Sequence, residues 1–194
     1  MVGRRAAAGL VLAVVGLTAA GCLGSSTKTV TVTHTQTITS TETVTTTGSV
    51  RSAKPCQGTD LAATFVLIPN SAGAGQIAYT LVVKNTSQGP CSVQGIPKGT
   101  LLGATGTALP THVKASGAAG KPVVLPPGAS ATAQARFSPD VAGQGDSQSG
   151  DCQPQAHTFQ LTAAGGGVTE AAIKPPTSVC EQGTLNFEAF DYAG

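Results

Sequence analysis

The sequence has no tryptophan, one methionine, two tyrosines and five phenylalanines, and only 10% of its residues are charged. A formal net charge of +2 over 194 residues gives neither a basic stripe to neutralise phosphates nor an acidic field, which argues against nucleic acid as a partner. Cysteines never fall in a Cys-x-x-Cys pair, so no zinc knuckle is indicated. The nearest approach to a nucleophile elbow, Gly128 to Thr132, has Thr where the second Gly belongs and leads into an alternating strand pattern rather than a helix. With no carboxylate, His and Ser grouping at catalytic spacing, the chain reads as a non-enzyme without a cofactor.

What is present is punctuation. The 25 Gly and 12 Pro divide the chain into short segments rich in Val, Thr and Ala, the composition of an all-β protein with many turns. Before them stands an export signal: Arg4 and Arg5, an apolar run from Ala6 to Leu17, then small residues before Cys22. The order Ala19-Ala20-Gly21-Cys22 resembles a bacterial lipobox. That resemblance implies a diacylglyceryl group on the Cys22 thiol and, after cleavage, an acylated amine, and two or more acyl chains anchor a protein stably where one does not. The apolar run is short for a span of about 20 residues, so residues 1–21 are read as a lipoprotein signal peptide. The chain is then placed on the outer face of the cell membrane.

Residues 22–55 follow as a tether. Every odd position from Thr27 to Thr47 is Thr, which is the period of a strand. No Gly or Pro interrupts it, however, so it would be about three times the usual strand length of 5–6 residues. Its other face mixes Val30, Val32, Ile38 and Val44 with Lys28, His34, Gln36, Ser40 and Glu42, so neither face seals a core. A solvated stalk accounts better for a low-complexity Thr tract. From Cys22 to Cys56 it could reach on the order of 110 Å extended, or roughly 30–35 Å as a coil.

Residues 56–194 form the folded part. Leu61 to Ile68 is an apolar run closed by a turn cluster, and Ile77, Tyr79, Leu81 and Val83 alternate along the next strand. Residues 101–109 read as a hairpin turning near Thr105-Gly106, and Pro127-Gly128 suits a type II turn. Ala129, Ala131, Ala133, Ala135 and Phe137 then alternate, and further strands begin near His157, Val168 and Thr184. About seven or eight short strands imply an immunoglobulin-like antiparallel β-sandwich.

The same stretches carry a resemblance. An Asn-Thr-Ser turn at Asn85 shortly before Cys91, a Gly-x-Pro step at Gly95 and Pro97, a Leu-Pro-Pro-Gly turn at Leu125 to Gly128, and two later Cys stand in the order of the actinobacterial domain of unknown function 4232. The likeness runs from Cys56 to about Phe190. It implies an exported or lipoprotein location and an immunoglobulin-like fold, and it supplies no activity to transfer.

Setting Cys22 aside leaves Cys56, Cys91, Cys152 and Cys180, an even set in an exported chain, hence two disulfides with three possible pairings. Strand parity favours Cys56 with Cys91 and Cys152 with Cys180 over Cys56 with Cys180 and Cys91 with Cys152. The competing use is a copper or redox site, with Cys152 and His157 on one loop and His112 as a further ligand. It would need an unpaired Cys152 and a substitute for the missing axial Met. Asp140, Asp146 and Asp151 lack the ligand order of a calcium loop and read as a solvated flexible loop, and Asn85 reads as a turn cap rather than a glycosylated residue. The function indicated is a non-catalytic binding module for a cell-envelope protein or glycan.

Overall fold

The computed structural model describes residues 53–193. The expected signal peptide, Cys22 and the Thr tract fall in residues 1–52, outside the described residues. Among the described residues there are eleven strands: β1 (Leu61–Leu67), β2 (Ile77–Asn85), β3 (Cys91–Val93), β4 (Lys98–Leu102), β5 (His112–Ala115), β6 (Val123–Leu125), β7 (Ser130–Phe137), β8 (Ala156–Thr162), β9 (Val168–Thr177), β10 (Thr184–Phe187) and β11 (Asp191–Tyr192). The alternating runs form strands because one side chain in two can be buried. In β7 the buried positions are Ala131, Ala133, Ala135 and Phe137, and in β2 Tyr79, Leu81, Val83 and Asn85 alternate, with Ala78 buried beside them.

The main sheet has the order β4-β8-β9-β1-β2-β7-β10-β5, with β11 also paired to β7, while β3 and β6 form a small second sheet. This is an all-β, sandwich-like and nearly barrel-like arrangement. Most pairs are antiparallel, but β1 runs parallel to β9 and β10 runs parallel to β5, so the sheet is mixed rather than wholly antiparallel. Its two end strands are brought together by the residues that join them. Leu102 bridges Ala108, Leu109 N–H bonds to the Leu101 carbonyl at 2.8 Å, and the Thr111 hydroxyl accepts from Leu101 N–H at 2.9 Å, just before β5 begins. The free edge of β4 is thereby covered, which removes a template for pairing with other chains.

All five phenylalanines and Tyr79 are buried. Phe65 on β1 meets Tyr79, Phe159 and Phe187 at ring-centre distances of 5.3, 5.9 and 5.7 Å, and Tyr79 continues the chain of rings to Phe137 at 5.3 Å. Turn chemistry is local. Gly128 has φ 81° and Ala129 N–H bonds to the Pro126 carbonyl at 3.0 Å, as a Pro-Gly type II turn requires. Asn85 Oδ1 accepts from Ser87 N–H at 2.9 Å, and its amide donates to the Gly89 and Leu125 carbonyls at 2.9 and 2.8 Å. That buried amide is fully engaged in holding the turn.

Removing the central ring is expected to be costly. Phe65→Ala should destabilise the domain by about 3–5 kcal/mol, read as a shift in the urea midpoint with the disulfides intact.

Candidate interaction site

One end of the domain is organised by Cys56 and Cys91, joined by a disulfide with a Cα–Cα distance of 4.8 Å. The bond pins the incoming segment against β3. Ser92 N–H donates to the Lys54 carbonyl, Cys56 N–H donates to the Ser92 carbonyl, both at 2.9 Å, and the Ser92 hydroxyl donates to the Ala53 carbonyl at 3.0 Å. Residues 53–56 therefore act as a third strand of the small sheet, parallel to β3 at Pro55.

Phe190 is buried just before β11, and its N–H bonds to the carbonyl of Gly95, two residues beyond β3, at 3.0 Å. Phe190 lines two clefts. The first, of about 320 Å³, is walled by Leu61, Val93, Ile96, Pro97 and Leu161, with Gln94 and Lys98 as polar lining groups. An apolar concavity with few polar groups is the usual character of a binding site, and this one lies at the low end of the size range. The second is an open groove of about 560 Å³ between residues 120–124 on one side and 189–192 on the other.

The opposite end is built on Asp146. The sequence reading of a solvated flexible loop fails here, although Asp140 and Asp151 are exposed as expected. Asp146 is only 8% exposed. Its carboxylate accepts from Gly143 N–H at 2.7 Å, Glu181 N–H at 2.5 Å, Gln182 N–H at 2.8 Å and Gln153 Nε2 at 2.7 Å. These bonds hold a left-handed turn, Cys180–Gly183, in which Glu181 and Gln182 take φ values of 53° and 55°. Such a conformation costs non-glycine residues roughly 1–2 kcal/mol each, and charge-assisted hydrogen bonds are the strong kind that can offset it. Gly183, at φ 76°, lies so close to the Pro110 carbonyl that no side chain fits. Cys180 is bonded to Cys152, Cα–Cα 5.5 Å, beneath the same turn.

The model of the family described as Domain of unknown function (DUF4232) matches residues 56–190. The chain belongs to this family. No curated protein and no solved structure matches the chain.

In the DUF4232 domain the residues singled out from the sequence are scattered. His157 is half-buried on β8 and His112 is exposed on β5 beside Lys114. Among the described residues, the ligand-type atoms that cluster within 4.8 Å belong to Asp146, Cys152 and Cys180, and neither His is among them. The two sulfurs there are bonded to each other, so Cys152 offers no thiolate to copper. Sequence reasoning missed Asp146 and Phe190. The Asp146 partners Glu181 and Gln182 lie 35 and 36 residues away, and no local pattern announces them. Phe190 was visible only as the end of an alternating run.

Burial raises the Asp146 carboxyl pKa, and the bonds from Gln153, Gly143, Gln182 and Glu181 outweigh it, bringing the value from 3.8 down to about 2. A depressed folded-state value contributes stability above the unfolded value that is lost as the carboxylate is protonated. The wild type should therefore lose stability as pH falls from near 3.8 to about 2, and Asp146→Asn should lack that component. At pH 7 the variant should be less stable by about 1.5–3 kcal/mol, measured by denaturant unfolding across the pH series.

Proposed function

We propose that the protein is an exported lipoprotein whose DUF4232 domain is a non-catalytic binding module. In this reading Cys22 carries the lipid, residues 27–47 form a spacer, and the domain engages a cell-envelope protein or glycan through the clefts around Phe190. The observation that carries the binding reading is an apolar cleft and an open groove that share the buried Phe190 in their linings, the cleft also lined by Cys56 of the Cys56–Cys91 bond. Such concavities on a rigid sheet scaffold suit recognition more than chemistry.

Export is supported by the cysteines. Two disulfides belong to an oxidising compartment, and all four cysteines of the domain are paired in them. Among the described residues no helix is long and apolar enough to cross a membrane; attachment in this reading is assigned to Cys22. The alternative of a copper or redox protein using Cys152 and His157 requires a free sulfur that the Cys152–Cys180 bond takes away.

Two measurements test the reading. Cys22→Ala should move the protein from the membrane fraction to the soluble fraction, and retention on membranes would refute lipid attachment at that residue. Thiol titration of the denatured, unreduced protein should find none of the four domain cysteines reactive. One free thiol accompanied by bound copper would overturn the binding-module reading in favour of the metal one.

A further inference from the structure

The groove between β6 and β11 is bounded by two strand edges whose backbone groups point into it. Ser92 turns its N–H and C=O toward Lys54 and Cys56. In an antiparallel pair alternate residues bond across and those between them face the other way, so the β3–β6 ladder runs through Cys91 with Leu125 and Val93 with Val123. Val124, opposite Ser92, must then direct its N–H and C=O away from β3. On the facing wall, Ala193 N–H bonds to the Ser130 carbonyl at 3.1 Å, which puts Asp191 in bonded register with Thr132 and turns Tyr192 outward. The Tyr192 N–H is held by Asp191 Oδ1 at 2.8 Å, leaving its carbonyl as the open acceptor. Val124 and Tyr192 line the same groove.

We infer that this slot receives an extended, uncharged peptide segment of a partner protein, which adds as a strand between β6 and β11. The proposal rests on the binding-module reading and names the kind of partner. Three features select the occupant. First, a strand that bonds to Val124 on one side and Tyr192 on the other must have both of its own edges free, as an isolated extended segment does. The edge strand of a second folded copy has only one.

Size is the second feature. A residue in a packed sheet fills on the order of 160 Å³, taking the strand rise with the strand and sheet spacings. A groove of about 560 Å³ thus holds three or four residues, matching the three of β6. One end is closed, because a Cβ on Gly120 would lie 2.5 Å from that of Ala189. The third feature is charge: Lys121 on one wall and Asp191 on the other balance, which favours an uncharged segment. Phe190 and Val123 line the groove beside inward-pointing side chains, and Tyr192, 54% exposed, is the large apolar residue left uncovered at its rim. Main-chain bonds would supply the affinity and alternate side chains the selectivity, as in strand addition generally.

The test uses the full chain and the probe peptide acetyl-Val-Thr-Val-Thr-Val-amide, with hydrogen exchange at the Val124 amide as the readout. At about ten times its Kd the peptide should slow that exchange about tenfold, and the same peptide N-methylated at its central residues should not. Val124→Pro, which has no amide hydrogen at that position, should abolish the peptide's binding as read by titration calorimetry, and the fold tolerates it because that N–H lies outside the β3–β6 ladder and edge strands accept proline. Unchanged exchange at millimolar peptide, or equal slowing by the N-methylated form, overturns the proposal. Protection in the free chain that grows with protein concentration also overturns it, in favour of a second copy. Crosslinking to envelope components separates the two levels. Equal capture of one component by wild type and Val124→Pro sinks the slot and leaves the module standing, whereas no capture by either sinks the module as well.

Discussion

The packing of Phe65 is the contact on which the rest of the domain depends. A chain with five phenylalanines, two tyrosines and no tryptophan has few large side chains with which to fill a core, and it gathers most of them in one place. Phe65 sits on β1, between β2 and β9 in the sheet order, and touches rings from β2, β8 and β10. Strands distant in that order therefore meet on a single side chain. Small residues make the arrangement possible, since the buried face of β7 is alanine at three of its four positions and leaves room for rings from elsewhere.

Because the rings occupy the middle, each end of the cage is secured by other means. At one end the Cys56–Cys91 bond fastens the incoming chain to β3. At the other, the Cys152–Cys180 bond and the Asp146 carboxylate fasten a loop to the left-handed turn before β10. A disulfide acts mainly by restricting the unfolded chain, whereas the carboxylate acts in the folded state by satisfying N–H groups that the unusual turn would leave without partners. The two devices divide the work on one loop, one limiting where Cys180 can go and the other dictating how the backbone leaves it.

This division explains what the sequence revealed. Long strands were legible because burial imposes a period of two over seven to nine residues, as along β2, β7 and β8, while β1 showed as an apolar run closed by a turn. The turns at Asn85 and Gly128 were legible because their chemistry is local. Strands of two to four residues such as β3, β6 and β11 are too short to show any period. The parallel pairs of β1 with β9 and β10 with β5 follow from chain crossings that strand counting does not see. Asp146 is the sharpest miss. A carboxylate among Gly, Ser and Gln has the composition of a solvated loop, and only the arrival of Glu181 and Gln182 from far along the chain turns it into a buried anchor.

The candidate site belongs to the illegible part for the same reason. Its walls are the short strands, and its character comes from which way their backbone groups face, a property with no signature in residue type. In the main sheet the free edge of β4 is covered by the segment leading into β5, a common protection against unwanted pairing. The β6 edge is treated differently. Its outward backbone groups at Val124 lie along a groove whose facing wall includes Tyr192. Recessing an edge excludes the broad sheet surfaces that drive aggregation while still admitting a single narrow strand, so the same geometry that protects the domain also restricts what it can hold.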